Sequence, residues 1–243
     1  MLTLYHFWSS TCSRKVRLCL AEKGLEWTSH HVDIVNKRDN VQGWYVKLNP
    51  NGVVPTLDHD GYIVIESNII IEYLDDVYPD VSLRPAAGHD RARMRLWMDK
   101  AETAVHKNIN TISWNKRHMP RMSHLSDEQH RAVLEKFPNP EKRRTMLARL
   151  ANGVSAEDEA FCEGQLSSFM DEMEETLGQA PWLAGETFSL ADIAITPFIE
   201  RFQANGLDGL VDFEKRSNVG DWWQRIQERP SYETAYSFQN PDA

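Results

Sequence analysis

The first residues of the chain alternate between apolar and polar segments in the manner of an α/β fold. Residues 2–7 are a short apolar run typical of a β-strand, and residues 9–13 form a polar turn. Residues 14–23 follow a helical pattern that Gly24 closes, because glycine readily adopts the left-handed conformation that ends a helix. The pattern therefore predicts a strand, a turn and a helix in that order.

A second α/β signal lies at residues 53–67, where the pattern predicts two strands joined by a hairpin and then the start of a helix. Asp60-Gly61 fits the hairpin turn, and Ser67 is the expected N-cap of the helix that follows. Pro55 lacks a backbone N–H, which fits an edge strand or a cis turn. The backbone of Val54 is therefore expected to be free to bind a ligand.

The second half of the chain is helical by period. Two sets of mainly apolar residues recur at helical spacing and are expected to face the core: Trp97, Ala101, Ala104, Val105, Asn108 and Ile112, and then Cys162, Leu166, Phe169, Met170, Met173 and Leu177. Proline and glycine cluster at residues 79–88, which indicates a linker. The predicted organisation is an α/β domain at residues 1–79, a linker at 80–90 and an all-helical domain at 91–243.

Residues 114–153 are unusually long for a connection between two helices of one domain. Three prolines interrupt this stretch, and the pair Ser126 and Gln129 predicts a helix that begins with a capping box. Because long connections of this kind are often functional, we expect the stretch to fold over a binding cleft as a lid or wall.

The composition predicts a soluble protein. Of its 243 residues, 41% are hydrophobic, which is enough for a sizeable core, and no apolar run approaches the ~20 residues of a membrane span. The N-terminus has no charged leader followed by an apolar segment, and three cysteines exclude a full disulfide framework. A reducing cytoplasm is the expected location.

The polar turn before the first helix carries the densest group of nucleophile-type side chains: Ser10, Thr11, Cys12 and Ser13. Exposed amides and the helix dipole at such a position lower the cost of a thiolate, whether it belongs to the protein or to a ligand. Two alternatives stay open, because Cys12 also fits a small core residue and Ser13 also fits a second capping hydroxyl. The nine histidines show no metal-ligand spacing.

Four motifs in this order resemble those of the cytosolic glutathione transferases. They are the strand with its nucleophile turn, the segment from Asn49 to Pro55, the pair Glu66-Ser67, and the segment from Phe188 to Ile193. In the last of them, Ser189 is the expected N-cap of a helix. The Asp192 side chain is expected to accept a hydrogen bond from the Ser189 backbone N–H, which completes a capping box. The resemblance spans nearly the whole chain. It implies a thioredoxin-like α/β N-terminal domain followed by an all-α helical bundle.

The resemblance also implies how glutathione would bind as co-substrate. Its backbone would extend along Val54 and Pro55, its glutamyl carboxylate would meet the helix at Ser67, and Glu66 would contact its amino group. Asn40 stands where the family has a polar contact to the glycyl end, although a basic residue would be the better partner for that carboxylate. The family implies a homodimer, and no metal, nucleic-acid or membrane partner is expected.

The charge of the chain is unevenly spread. Its formal net charge is -9, but residues 115–150 hold nine Lys or Arg against four Asp or Glu, so the rest of the chain carries -14. This basic segment has few aromatic residues, and the acidic remainder would repel phosphates, which argues against nucleic-acid binding. The segment is either a solvated helical face or a cationic wall that attracts glutathione or an acidic substrate.

Three side chains of the polar turn are candidates for activating the glutathione sulfur. Ser10 matches the catalytic serine of theta-type enzymes, and Cys12 matches the reactive cysteine of tetrachlorohydroquinone dehalogenase. Ser13 matches the serine next to sulfur in bacterial enzymes that cleave aryl ethers. A serine would restrict the chemistry to thiol addition or displacement, whereas a cysteine would also permit mixed disulfides and reductive chemistry. The residues alone leave this choice open.

The implied activity is that of a glutathione S-transferase whose glutathione thiolate attacks an apolar electrophile, for example in β-aryl ether cleavage or dehalogenation. Residues 114–153 resemble the corresponding region of the ether-cleaving enzymes. Trp114, Met119, Met122 and Phe202 are the candidate walls of the electrophile pocket. The alternative is a non-catalytic binding or interaction protein of the same fold. The hydroxyl groups of the polar turn favour an enzyme, since a purely structural domain would not need them.

Overall fold

A four-stranded mixed sheet forms the first part of the protein, whose computed structural model describes residues 1–239 and 241. The elements in chain order are β1 (Leu2–His6), α1 (Thr11–Glu22), β2 (Thr28–His31), a 3-10 turn (Asp39–Val41), α2 (Gly43–Leu48), β3 (Thr56–His59), β4 (Tyr62–Ile65) and α3 (Ser67–Val77). The strand order is β2-β1-β3-β4. β1 pairs in parallel with β2 and antiparallel with β3, which in turn pairs antiparallel with β4.

The predicted hairpin is confirmed. β3 and β4 pair from Thr56 opposite Ile65 to His59 opposite Tyr62. Asp60 and Gly61 close the turn with φ of 52° and 90°, the left-handed conformations that a tight hairpin requires. The strand β2 escaped prediction because its four residues are polar and largely exposed, so they carry no apolar pattern.

The helix α1 begins earlier than the apolar pattern predicts, at Thr11 rather than at residue 14. Ser10 is its N-cap and accepts a hydrogen bond from the backbone N–H of Ser13 at 3.3 Å. Polar residues are tolerated in this first turn because its N–H groups have no partner within the helix. Gly24 follows the end of the helix with a φ of 62°, as expected for a glycine at this position.

The expected N-cap of α3 is wrong by one residue. Glu66 takes the N-cap position with a φ of 69° and makes no side-chain capping bond, and Ser67 is the first residue of the helix. The Ser67 side chain is buried and points across to Glu102, with 3.5 Å between its Oγ and Glu102 Oε1. A tertiary contact therefore takes the hydroxyl that the local pattern assigns to the cap.

The rest of the chain is helical. A nearly continuous helical run comprises α4 (Gly88–Lys100), a π-helical segment (Ala101–His106), α5 (Lys107–Ser113), a second π-helical segment (Trp114–His118) and α6 (Met119–Met122). It is followed by α7 (Asp127–Leu134), α8 (Pro140–Asn152), α9 (Ala156–Leu177), α10 (Leu190–Ala204), α11 (Ser217–Gln227) and α12 (Pro230–Tyr236). Within the described residues, none of these helices has the length and apolarity that a membrane span needs.

One apolar core extends through both parts of the molecule. It joins Leu4 and Leu57 of the sheet to Phe198 of α10, all of them fully buried. The helix α1 packs against α3 on one side and against α10 and α12 on the other. All six members of the second predicted stripe, from Cys162 to Leu177, are buried as expected. The position of α1 between the two parts brings its polar turn against the helical bundle.

Both predicted capping boxes are present. Ser126 and Gln129 exchange hydrogen bonds at the exposed start of α7, and Ser189 and Asp192 do so at the buried start of α10. Asp192 also accepts hydrogen bonds from Trp222 Nε1 and from a backbone N–H of the preceding loop. The second box therefore connects three segments of the bundle instead of capping one helix alone.

Candidate functional site

The three candidate side chains of the polar turn have different surroundings. Ser10 is half-buried and caps α1. Ser13 is 0% exposed, and its Oγ accepts a hydrogen bond from the Phe7 N–H at 3.3 Å. Cys12 is half-buried and free of any disulfide. Ser10 and Cys12 are thus within reach of a ligand, whereas Ser13 holds the preceding strand in place.

Cys12 is the first member of a chain of polar contacts that the sequence does not reveal. Its Sγ lies 3.9 Å from His106 Nε2. The other ring nitrogen of His106, Nδ1, lies 2.8 Å from Glu102 Oε2, and Glu102 Oε1 accepts a hydrogen bond of 2.7 Å from the buried ammonium of Lys15. The result is an ordered array of thiol, imidazole, carboxylate and ammonium groups, which we call the Cys12 relay.

The electrostatics of the relay favour a thiolate next to an imidazolium. Burial is the largest influence on Cys12 and disfavours its ionisation, but the charge of His106, its hydrogen bond and the charge of Lys15 together outweigh burial, so the pKa of the thiol lies below its usual value. In turn, the negative charge of Cys12 raises the pKa of His106 to about 10. Glu102 is half-buried, which opposes its ionisation, but its hydrogen bond from His106 and the charge of Lys15 hold its pKa below the usual range.

Sequence reasoning missed both partners of Cys12. Glu102 and His106 are four residues apart on a helical run, a spacing that places two side chains on one face. That spacing, read in the sequence, could have indicated a hydrogen-bonded pair of a carboxylate and an imidazole. Nothing local indicates that the pair would meet a cysteine 94 residues earlier in the chain.

The relay also has the composition of a metal site. The ligand atoms of Cys12, Glu102 and His106 all lie within 4.8 Å of one another. A cation there would compete with the proton shared by Glu102 and His106 and with the Lys15 ammonium, which already compensates the carboxylate. The ion-paired arrangement satisfies the charges of these groups within the protein.

The expected glutathione edge lies next to this turn. The Val54-Pro55 peptide bond is cis, and among the described residues the Val54 backbone takes part in no hydrogen bond. Glu66 is exposed and accepts a hydrogen bond of 3.0 Å from the Asn51 side chain. Backbone groups without protein partners and an exposed carboxylate are what an extended, peptide-like ligand requires.

Asn40 has a supporting role in this structure. Its side chain is buried, and its Nδ2 donates a hydrogen bond of 2.8 Å to the carbonyl oxygen of Gly52. That contact holds the loop before Pro55 in position. The Oδ1 atom of Asn40 is buried and has no partner among the described residues.

A segment of the long connection covers this loop. Pro138 packs against Gly52 so closely that a Cβ on Gly52 would lie 2.9 Å from the proline Cδ. Four residues later, Lys142 places its Nζ 5.3 Å from the centre of the Phe137 ring. Burial lowers the pKa of Lys142, while the negative charges of Cys12 and Glu66 oppose that effect. The side chain of Lys142 is therefore close enough to Cys12 and Glu66 to be affected by their charges, and sequence reasoning did not single it out.

The four residues expected to line the electrophile pocket are mostly core residues. Trp114 and Met122 are buried, and Met119 packs against the cluster that Trp114 forms with Leu134 and Phe137. Phe202 is 0% exposed within the main core, so it presents no surface to a substrate.

Comparison with known proteins gives a consistent result. Residues 9–77 match the family model of the glutathione S-transferase N-terminal domain, and residues 145–230 match that of the C-terminal domain. The chain is 35% identical to Protein LigF of Sphingobium sp. (strain NBRC 103272 / SYK-6), with 95% of this chain and 91% of the relative covered. It is 28% identical to the tetrachloro-p-hydroquinone reductive dehalogenase of Sphingobium chlorophenolicum, with 96% and 95% covered.

The fold comparison agrees. The crystal structure of the β-etherase LigF from Sphingobium sp. strain SYK-6 superposes with a TM-score of 0.90 at 33% identity, covering 97% of this chain and 98% of that one. The fold is therefore that of a thioredoxin-like domain followed by a helical bundle, as the sequence resemblance implies. The chain belongs to the glutathione transferase family and is an enzyme of that glutathione-dependent class.

Proposed function

We propose that this enzyme removes a leaving group from an activated carbon in two thiol steps, first with glutathione and then with Cys12. The observation that carries the proposal is the Cys12 relay, in which Cys12 Sγ lies 3.9 Å from His106 Nε2 at the start of α1, a contact that lowers the pKa of the thiol. The similarity to a reductive dehalogenase supports the same chemistry. Electrophiles with a halide or aryloxide leaving group are the proposed substrates.

The first step is a displacement. Glutathione thiolate attacks the carbon, a carbon–sulfur bond forms, and the halide or aryloxide leaves with its bonding electrons. Ser10 is the proposed hydrogen-bond donor to the glutathione sulfur, supported by the N-terminal amides of α1, because such donors favour a thiolate over a thiol.

The second step is reductive. Cys12 thiolate attacks the sulfur of the conjugate, so a disulfide forms between Cys12 and glutathione while the carbon–sulfur bond breaks. The electron pair stays on the carbon, which takes a proton, and His106 is placed to donate it. A second glutathione then reduces the mixed disulfide, releasing oxidised glutathione and free Cys12.

The proposed glutathione contacts combine both parts of the chain. The Val54 backbone and Pro55 hold the peptide, the amides at Ser67 hold the glutamyl carboxylate, and Glu66 pairs with the amino group. For the glycyl carboxylate we propose Lys142, because its ammonium lies near the cleft and Asn40 is already engaged with the loop.

A second candidate function is displacement alone, with release of the glutathione conjugate. Similarity to the β-etherase LigF favours this reading, with an aryl ether as the substrate. The two candidates differ in the number of glutathione molecules consumed and in the need for Cys12.

We further propose that the enzyme works as a cytoplasmic homodimer. Tyr62, Ile69 and Leu96 are large apolar side chains with exposed fractions of 65%, 54% and 63%. An ion pair between Arg95 and Glu72 links α4 to α3, the two helices that carry the last two of them. Exposed apolar side chains on neighbouring elements suit a surface that a second copy covers. Sedimentation of wild type and of Leu96→Glu tests this proposal.

The deciding experiment follows an aryl ether on the carbon next to a ketone, with glutathione in excess. For wild type we expect release of the phenol together with oxidised glutathione, and a glutathione adduct on Cys12 in mass spectra. The Cys12→Ser variant should release the phenol but stop at the conjugate, whereas Ser10→Ala should slow the first step. Ser13→Ala is the matched serine control, because that hydroxyl binds the Phe7 backbone.

Unchanged formation of oxidised glutathione in Cys12→Ser would exclude the second step and leave displacement. A wild-type protein that binds glutathione without consuming any electrophile would favour a binding or interaction protein.

A further inference from the structure

Four arginines on three elements lie around the polar turn at the start of α1, close enough for their charges to act on one another. We call this group the arginine cluster, and its members are Arg14 on α1, Arg117 and Arg121 on the stretch from Trp114 to Met122, and Arg201 on α10. Arg201 is buried, and its Nη2 donates a hydrogen bond of 2.6 Å to the carbonyl oxygen of Ser9. Ser9 directly precedes Ser10, so the cluster is anchored one residue from the proposed sulfur position.

The positive charge of the cluster is only partly compensated. Arg14 forms an ion pair with Glu200, and the same carboxylate acts on Arg117 and Arg201 at longer range. Burial and the positive charge of Arg117 lower the pKa of Arg201 to about 10, and burial and Arg121 lower that of Arg117. The guanidinium groups are therefore close enough to act on one another, and the nearby carboxylate of Glu200 compensates only part of their charge.

Several donors of the cluster have no partner. Within the described part of the chain, the half-buried side chains of Arg117 and Arg121 make no hydrogen bond or ion pair, and Arg14 Nε is buried without an acceptor. A guanidinium presents a planar fork of donors that matches a carboxylate. The guanidinium groups of the cluster lie close together beside the turn, and some of their donors are free. They therefore suit the binding of an anionic ligand.

We propose that the arginine cluster binds an anionic group of the electrophile, a carboxylate or a phenolate, and so selects acidic aromatic substrates. This inference rests on the proposed function, in which the carbon under attack lies at the turn of Ser10 and Cys12. Arg117 and Arg121 are the specificity-determining residues, since their donors are free. An anionic group held there would orient the ring beside the glutathione sulfur, which raises the rate by positioning.

A matched pair of electrophiles tests the proposal: para-chloro-meta-nitrobenzoate and its neutral methyl ester. In both, glutathione thiolate forms the carbon–sulfur bond and chloride leaves with the electron pair. Each enzymatic kcat/KM is divided by the uncatalysed rate with glutathione, so that the different reactivity of the two rings cancels. We expect wild type to prefer the acid by about tenfold or more, because each charged hydrogen bond is strong.

Arg117→Gln and Arg121→Gln should reduce the ratio of the two normalised rates, acid over ester, towards one, mainly through a lower rate with the acid. Lys116→Gln is the matched control, since Lys116 is an exposed neighbour in the same helical segment. Added salt should weaken the preference for the acid more than it affects the ester. Thermal unfolding of each variant verifies that it is folded.

Equal normalised rates for acid and ester in wild type would overturn the inference. So would an equal rise of the KM for glutathione with both electrophiles in the arginine variants, because the cluster would then hold glutathione. If wild type turned over neither electrophile, the aryl-ether assay described above would test the proposed function separately. Calorimetry with the purified glutathione conjugates of the acid and of the ester would then test whether the arginine cluster binds an anionic group. Equal affinities for the two conjugates would overturn the inference.

Discussion

Cys12, Cys19 and Cys162 carry the same thiol group in three different surroundings. Cys19 and Cys162 are buried in the apolar core, and burial raises the pKa of both thiols. Cys12 is less buried and faces His106, whose positive charge lowers the pKa of its thiol in spite of burial. The environment thus favours ionisation of Cys12 over that of Cys19 and Cys162.

This difference predicts selective alkylation. Between pH 6 and 8, iodoacetamide should modify Cys12 well before the other two cysteines, as read by mass spectrometry of peptides. The rate should follow ionisation of a thiol whose pKa lies below the ordinary value of about 8.5. His106→Gln removes the positive charge, so the midpoint should move to higher pH, with about a tenfold smaller thiolate fraction for each unit of change.

His124→Gln is the control for this prediction, because His124 is exposed and lies far along the chain from the relay. An unchanged midpoint in His106→Gln would mean that the imidazole does not stabilise the thiolate. The residues of the Cys12 relay would then contact one another without activating the thiol.

At the scale of elements, the two capping boxes show how burial changes the value of one local motif. The box of Ser126 and Gln129 at the start of α7 is exposed. In the box of Ser189 and Asp192 at the start of α10, both residues are 0% exposed, and Asp192 also accepts from Trp222 Nε1 at 2.9 Å. Water replaces a lost hydrogen bond at the first site but not at the second.

Asp192→Asn should therefore destabilise the protein far more than Ser126→Ala. The amide that replaces one carboxylate oxygen cannot accept hydrogen bonds, so at least one buried N–H loses its partner, at about 1–3 kcal/mol each. For Ser126→Ala we expect about 1 kcal/mol, the usual cost of a lost N-cap. Urea denaturation followed by circular dichroism measures both. Equal midpoints for the two variants would contradict this account.

At the scale of the whole molecule, Arg17 joins the first helix to the last. Its guanidinium donates to the carbonyl oxygens of Trp8 and Ala235, each at 2.9 Å, and lies 4.8 Å from the centre of the Phe238 ring. It also contacts His6 Nδ1 at 3.1 Å. Burial and the charge of Arg17 lower the pKa of His6 to about 3, so that histidine stays neutral near pH 7 and can accept this bond.

Arg17→Gln should release α12 from α1. We expect a loss of about 1.5–3 kcal/mol for each charged hydrogen bond that is not replaced, and faster amide exchange in residues 230–236. Hydrogen exchange with mass spectrometry measures the local effect, and urea denaturation measures the global one. Arg93→Gln, which removes an exposed ion pair with Asp90, should change stability by no more than about 1 kcal/mol. Unaltered exchange in α12 would show that other contacts hold it.

Much of the fold was accessible from local patterns. The hairpin at Asp60-Gly61 and both capping boxes involve residues no more than a few positions apart, so their chemistry is visible in the sequence. The polar strand β2 was missed because it carries no apolar alternation. The cap at Ser67 was misassigned because the Ser67 hydroxyl points to Glu102 in the helical bundle.

The sequence by itself determined the order of motifs, the polar turn with its cysteine and serines, and hence the glutathione transferase fold. Only the tertiary structure decided that Cys12 meets His106, that Lys142 lies near enough to Cys12 to be affected by its charge, and that Arg201 contacts Ser9. The physical reason is the separation along the chain over which each kind of interaction acts. Backbone propensities and caps act over a few residues, whereas the charge on a thiol depends on whichever side chains the packed core brings within a few ångströms.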